Sequence, residues 1–251
     1  MINFKDKTVI VTGGSRGIGA ATVELFAELG ANVAFVYHSN HGAAKEVLTK
    51  VQKFSATSYC QSVDITNYDE VKKFVNEMIL KYSQIDILVN NAGIWEYGSI
   101  EKMSVDDWKR TIDINLHSVF YFTKTIVNHM KNKKISGKIV NIASTAGQRG
   151  EAYHSHYAAS KGAIISFTKS LASELGPSGI TVNCVAPGWV ATDMSKEAIE
   201  NDNNKIIEVI PLGKIPCAEN IAKPIVFLAS DWAEAITGEI LNVNSGSVLC
   251  G

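Results

Sequence analysis

The sequence predicts an α/β fold, a single-domain, doubly wound parallel sheet with helices on both faces. Three observations carry this expectation. Short apolar runs of strand length alternate with segments whose apolar residues recur at i, i+3 and i+4. Helical segments separate the strands, as the crossovers of parallel pairing require. No linker, repeat or low-complexity stretch interrupts the alternation, so residues 1–251 read as one domain.

The first unit is a strand at Thr8 to Thr12, a helix from Ala20 to Leu29 and a second strand at Asn32 to Tyr37. The next helix carries Ala44, Val47, Leu48 and Val51 on one stripe. The one after it carries Val71, Phe74, Val75, Met78, Ile79 and Tyr82. Further strands are predicted at Asp86 to Asn90, Lys138 to Ala143 and Ile180 to Val185. Long helices are predicted at about Val105 to Met130 and Tyr153 to Leu175, and a last strand at Ile240 to Val243, the one strand for which the pattern supplies no preceding helix.

Composition narrows the function classes. Hydrophobic residues make up 46% and charged residues 20%, a globular balance rather than a disordered one. With 24 basic against 25 acidic residues there is no excess charge to favour nucleic acid or an anionic membrane surface. No run reaches the ~18 apolar residues of a membrane span, and Lys5, Asp6 and Lys7 interrupt the start where a signal peptide would be apolar. A cytoplasmic location is expected. Cys60, Cys184, Cys217 and Cys250 form no close pair, so they read as reduced, mostly buried thiols rather than metal ligands or disulfides.

The first strand runs into Thr12-Gly13-Gly14-Ser15-Arg16-Gly17-Ile18-Gly19, where a helix begins. Glycines let the backbone turn tightly, and the free N–H groups and dipole of a helix N-terminus favour a pyrophosphate. The spacing of Gly13, Gly17 and Gly19 is Gly-x-x-x-Gly-x-Gly rather than the usual dinucleotide fingerprint. The second strand ends at Tyr37-His38-Ser39-Asn40, with no Asp or Glu between Glu28 and Glu46 to take a ribose 2′-hydroxyl. Arg16 in the loop, with His38, Ser39 and Asn40 as hydrogen-bond donors, instead suits a 2′-phosphate, so NADP(H) is the expected cofactor.

Tyr157 and Lys161 stand four apart in a helical segment, which puts both on one face with Cβ atoms about 6 Å apart. A tyrosine near pKa 10 needs roughly 4 kcal/mol to ionise at neutrality, and a nearby ammonium in a desolvated site is a source of it. Ser144 follows a strand at the edge where open α/β sheets bind ligands, so its hydroxyl is placed to bond a substrate oxygen. His154 and His156 flank Tyr157, but no Gly-x-Ser-x-Gly elbow surrounds Ser144, which argues against a hydrolase. Asn115 interrupts its helix, as a cap or bend. Asp64 is read as a cap of the helix beginning near Asn67, with Thr66 and Asn67 better placed to cap.

Several motifs in order resemble those of the short-chain dehydrogenase/reductase family: Thr12 to Gly19, Asp64, Asn90-Asn91-Ala92-Gly93, Asn115, Ser144, Tyr157-Ala158-Ala159-Ser160-Lys161 and Pro187-Gly188. The resemblance covers about Lys7 to Gly246 and implies a Rossmann fold with NADP(H). It implies Tyr157 as catalytic acid/base, Lys161 lowering its pKa and holding the nicotinamide ribose, Ser144 positioning the carbonyl, and Asn115 supporting a proton-relay water. It also implies that Asp64 and Ile65 meet the adenine, that Asn91, Ala92, Gly93 and Pro187 line the cofactor, and that Val190 and Thr192 reach the carboxamide. A homotetramer is implied as well, built on the two long helices.

Within the family the resemblance is strongest to the 3-oxoacyl-(acyl-carrier-protein) reductases, which implies reduction of a 3-oxoacyl thioester in fatty acid synthesis and an acyl carrier protein as partner. Two departures weaken the carrier: arginines common in those reductases are replaced by Asn128 and Ser173, with Lys131, Lys133 and Lys134 as a substitute basic patch. Sugar, polyol or small-ketone dehydrogenation is the alternative chemistry on this scaffold. A dinucleotide-binding regulator without catalysis is a third reading, disfavoured by the complete Ser144, Tyr157 and Lys161 set. Substrate choice is expected to lie in the loop from Thr145 to His156 and in Trp189 to Pro211, whose Asn201-Asp202-Asn203-Asn204 run reads as a mobile lid.

Overall fold

The computed structural model describes residues 2–249. Cys250, one of the four expected thiols, lies outside them. Strands β1 (Thr8–Thr12), β2 (Asn32–Tyr37), β3 (Tyr59–Ser62), β4 (Ile87–Asn90), β5 (Lys138–Ile142), β6 (Thr181–Pro187) and β7 (Ile240–Val243) form one sheet in the order β3-β2-β1-β4-β5-β6-β7. Every pairing is parallel.

The period of two along each strand sorts its side chains between two cores. Val9 and Val11 of β1, with Val33, Phe35 and Val89, pack against α1 (Gly17–Glu28), α2 (His41–Val51) and α9 (Ala218–Ala229) through Val23, Phe26, Val47, Ile221 and Ile225. Ile10, Ala34, Val36 and Leu88 face the other way. They pack against α3 (Tyr68–Tyr82), α5 (Ser118–Lys133) and α7 (Ser155–Leu175) through Phe74, Phe122, Ile126, Met130 and Leu175. The near-continuous Val/Ile runs of the strands follow from burial on both sides.

Four features depart from the expected elements. Strand β3 reads Tyr-Cys-Gln-Ser and has no apolar run, yet it pairs with β2 from Ala34 to Tyr37 as an edge strand, where one neighbour and partial exposure suffice. The crossover missing before β7 is supplied by α8 (Lys196–Glu208) and α9, the latter obscured in sequence by Pro224 in its interior. The segment read as a lid is largely α8, which breaks at Asp202, where φ is −130° and ψ 25°. The helix expected from Val105 to Met130 is α4 (Val105–Ile112) and α5 joined by a π-helical turn at Asp113–His117.

Cys184 is buried, Cys60 half-buried and Cys217 exposed at the start of α9, so burial holds for fewer thiols than expected. Among the described residues no helix is long and apolar enough to cross a membrane.

Candidate active site

Strand order reverses between β1 and β4, because β2 lies on one side of β1 and the later strands on the other. Such a switch point opens a crevice beyond the carboxyl ends of the strands. A cleft of about 1140 Å³ occupies that position. It is lined by every residue read from the sequence as a contact or catalyst except Asn115.

One end is the glycine loop. Gly17 adopts φ +54°, and a Cβ on Gly19 would collide with the carbonyl oxygen of Gly13, so a turn this tight excludes side chains there. The first turn of α1 contains no acidic residue, and its N-cap Arg16 makes no side-chain capping bond, which leaves the positive helix end open to the cleft. The loop is tied to β4. Thr12 Oγ1 accepts from the N–H groups of Asn91 and Ala92, each at 3.0 Å, and Asn91 Nδ2 donates to the carbonyls of Thr12 at 2.9 Å and Gly13 at 3.2 Å. Asn91 is thus a clamp on the loop as well as part of the cleft wall, and Thr12, absent from the expected contacts, is its counterpart.

His38, Ser39 and Asn40 stand exposed at the mouth beyond β2, with no carboxylate among them. Asn40 also caps α2, its Oδ1 accepting from Ala43 N–H at 3.0 Å, so only its amide nitrogen remains to donate elsewhere. Arg16 is exposed and enters no ion pair among the described residues. These features fit a phosphorylated dinucleotide: an uncompensated guanidinium, a helix N-terminus and no competing anion at the ribose position. Asp64 accepts from Thr66 N–H at 2.9 Å and Thr66 Oγ1 at 2.7 Å, bonds that hold its pKa low. It does not cap α3; Asn67 does, accepting from Asp69 and Glu70.

The other end holds Ser144, Tyr157 and Lys161. Ser144, just past β5, caps the short helix α6 (Thr145–Arg149), its Oγ accepting from Ala146 N–H at 3.1 Å. Tyr157 lies in the first turn of α7, and Lys161 one turn on, 4% exposed, donates to the carbonyl of Ile142 at 2.8 Å. The Lys161 ammonium is 5.8 Å from the centre of the Tyr157 ring.

Burial acts against one expectation, the lowering of the Tyr157 pKa. Tyr157 is pushed up, to about 12, by desolvation, against which a hydrogen bond with Ser144 pulls down. Desolvation likewise depresses Lys161 to about 8. Burial thus disfavours both charged forms and works against the lowering of the Tyr157 pKa by Lys161, whose ammonium donates to the Ile142 carbonyl.

Asn115 lies behind this group, in the π turn and fully buried. Its Oδ1 accepts from Ile94 N–H at 2.8 Å, and its Nδ2 donates to the Ile94 carbonyl at 3.0 Å and to Ser160 Oγ at 3.1 Å. A Cβ on Gly93 would lie 3.2 Å from Asn115 Oδ1 and 3.4 Å from Lys161 Nζ, so bare backbone separates the two. Three aromatic side chains not paired by local spacing form the facing wall. Trp95 stacks on His154 with centroids 4.4 Å apart and planes 3° apart, and Trp189 meets Trp95 edge to face at 5.8 Å. His156 is buried against Met103 and Gly98 rather than facing the cleft.

Comparison with known proteins agrees with this geometry. A family model described as enoyl-(acyl carrier protein) reductase matches residues 13–247. A 3-oxoacyl-[acyl-carrier-protein] reductase FabG of Chlamydia trachomatis serovar D is 39% identical over 241 residues, covering 96% of this chain and 97% of the relative. A 3-oxoacyl-[acyl-carrier-protein] reductase of Synechocystis is 40% identical over 245 residues, 97% of each. A solved structure from Brucella melitensis, described as a short-chain dehydrogenase/reductase, glucose/ribitol dehydrogenase, superposes with a TM-score of 0.93 at 32% identity over 99% of both chains. On fold, motifs and relatives alike, the chain belongs to the short-chain dehydrogenase/reductase family.

Proposed function

We propose that this protein is an NADPH-dependent 3-oxoacyl thioester reductase of fatty acid synthesis, one domain spanning residues 1–251 and acting in the cytoplasm. The observation that carries the reaction type is the placement of Tyr157, Ser144 and Lys161 at one end of a single cleft whose other end is the glycine loop with Arg16. The full-length relatives named as 3-oxoacyl-carrier reductases supply the substrate class.

NADPH, when bound, supplies the hydride that reaches the carbonyl carbon. The chain's residues handle the oxygen and the proton. Tyr157, neutral across the physiological range, donates its phenolic proton to the oxygen as negative charge develops there. The Ser144 hydroxyl bonds the same oxygen and is held in place by the Ala146 amide. Lys161, charged below about pH 8, stabilises the phenolate left behind and reaches toward the nicotinamide ribose. Asn115 fixes the Ile94 backbone beside them, and the irregular turn around it suits a backbone carbonyl turned to a relay water. With the cofactor bound, Asp64 and Ile65 would meet the adenine, Asn91, Ala92, Gly93 and Pro187 would line the cofactor, and Val190 and Thr192 would reach the carboxamide; all of them line the cleft. A pure binding protein would not require all three of Ser144, Tyr157 and Lys161 at one end of the cleft, which disfavours the regulator reading.

For the carrier partner, Asn128 and Ser173 are exposed and uncharged, while Lys131, Lys133 and Lys134 stand exposed at the end of α5. Little enhancement by the carrier over a small thioester is proposed unless those lysines compensate, in which case the enhancement falls with ionic strength. A homotetramer is proposed through α4, α5 and α7, which leave Val105, Trp108 and Phe120 exposed.

The test is NADPH oxidation with acetoacetyl-CoA and the carrier-linked form at low and high salt, against glucose and other polyols. Thioester turnover supports the reading. Polyol oxidation without thioester turnover would give the site to the chemistry named for the Brucella relative.

A further inference from the structure

Besides the main cleft, a second cavity of about 250 Å³ lies under α8, lined by Ala198, Ile206 and Val209, with Asp202 and Lys205 at its rim. Trp189 lines both cavities. Resting on the thioester reading above, we infer that Trp189, braced by Trp95, is the wall that limits acyl chain length, and that the cavity under α8 is the space a longer chain would need.

Three observations hold the indole in that role. Its backbone is fixed on both sides: a Cβ on Gly188 would lie 2.8 Å from Asn244 Cβ, and Val190 is buried. Trp95 packs edge to face on it at 5.8 Å, and Trp95 is itself stacked flat on His154, whose Nδ1 lies 3.0 Å from the Ala152 carbonyl. To swing Trp189 aside would therefore forfeit a ring contact in a chain of three. The space behind it is bounded largely by apolar side chains of α8, whose Lys205 and Asp202 pair with each other at 2.7 Å at the rim, so a hydrocarbon tail is the occupant it fits. An acetoacetyl group needs only the space in front of the indole.

The experiment compares kcat/KM for acetoacetyl, 3-oxohexanoyl and 3-oxooctanoyl thioesters of CoA with NADPH, in the wild-type protein and in Trp189→Ala. The wild type is expected to lose at least about tenfold from the four-carbon to the eight-carbon substrate, since each misfitting methylene in an apolar pocket is worth that order. Trp189→Ala is expected to raise the ratio of eight-carbon to four-carbon kcat/KM by about tenfold or more. Trp189→Leu, which keeps apolar bulk under α8, gives an intermediate ratio and replaces the alanine variant should that one fail to fold. A wild type that turns over all three thioesters equally, or a ratio unchanged in both variants, overturns the inference and leaves the thioester reading standing. No turnover of any thioester by the wild type overturns both.

Discussion

Lys161 should cost the fold stability at neutral pH, and that cost should fade as the pH rises. Its ammonium is 4% exposed and its pKa falls from 10.5 to about 8 on burial, so the folded chain binds the lysine proton less tightly than the unfolded chain. A depressed lysine reverses the usual sign: stability rises with pH between about 8 and 10.5, and below that window the full penalty applies. At 1.36 kcal/mol per unit, the shift corresponds to about 3 kcal/mol at pH 7 and about 2 kcal/mol at pH 9. Lys161→Met keeps the length and apolar stem while removing the charge. It also removes the bond to the Ile142 carbonyl, a loss of about 1 to 3 kcal/mol that is independent of pH. The unfolding free energy of the variant minus that of the wild type, measured in urea at fixed protein concentration, should therefore fall by about 1 kcal/mol from pH 7 to pH 9. A difference that stays constant, or moves the other way, would show that Lys161 is not held as a disfavoured cation and would refute the reasoning.

The other expectations concern chemistry. Tyr157→Phe keeps the ring and removes the proton donor, so thioester reduction should fall by about 10²- to 10⁴-fold while NADPH titration by fluorescence is unchanged; near wild-type kcat would reassign the acid. Arg16→Ala should weaken kcat/KM for NADPH by about tenfold or more and leave NADH within a few-fold, and equal losses with both would remove Arg16 from the 2′-phosphate. Asn115→Ala strands the Ile94 N–H and carbonyl, so it should lower the stability by about 1 to 3 kcal/mol for each group left unpaired, and a thermal melt superimposable on wild type would contradict the assigned bonds.

The parts of the site legible in the sequence share one property: each is specified by neighbours close along the chain. The glycine loop is a turn between β1 and α1, Tyr157 and Lys161 share a helix face, and the acid-free end of β2 is a run of three residues. The aromatic wall was illegible because Trp95, His154 and Trp189 come from three separate loops and nothing in local spacing pairs them. The clamp between Thr12 and Asn91 was missed for the same reason, since it joins residues 79 positions apart.

The sequence alone determined the α/β class, the crevice-forming strand–loop–helix at Gly13 to Gly19, and which residue types meet there, because hydrophobic period and turn chemistry are local. It did not determine the polar edge strand β3, the broken α8 or the Pro-containing α9, whose stability comes from the sheet edge and core they join rather than from their own pattern. Above all, tertiary structure decided the charge states. Spacing set Lys161 beside Tyr157, but how far each is desolvated, and that the Ile142 carbonyl takes the ammonium, depends on the whole packing of β5, α6 and α7 around them. Burial therefore pushes the tyrosine up and the lysine down, the reverse of what proximity by itself implies.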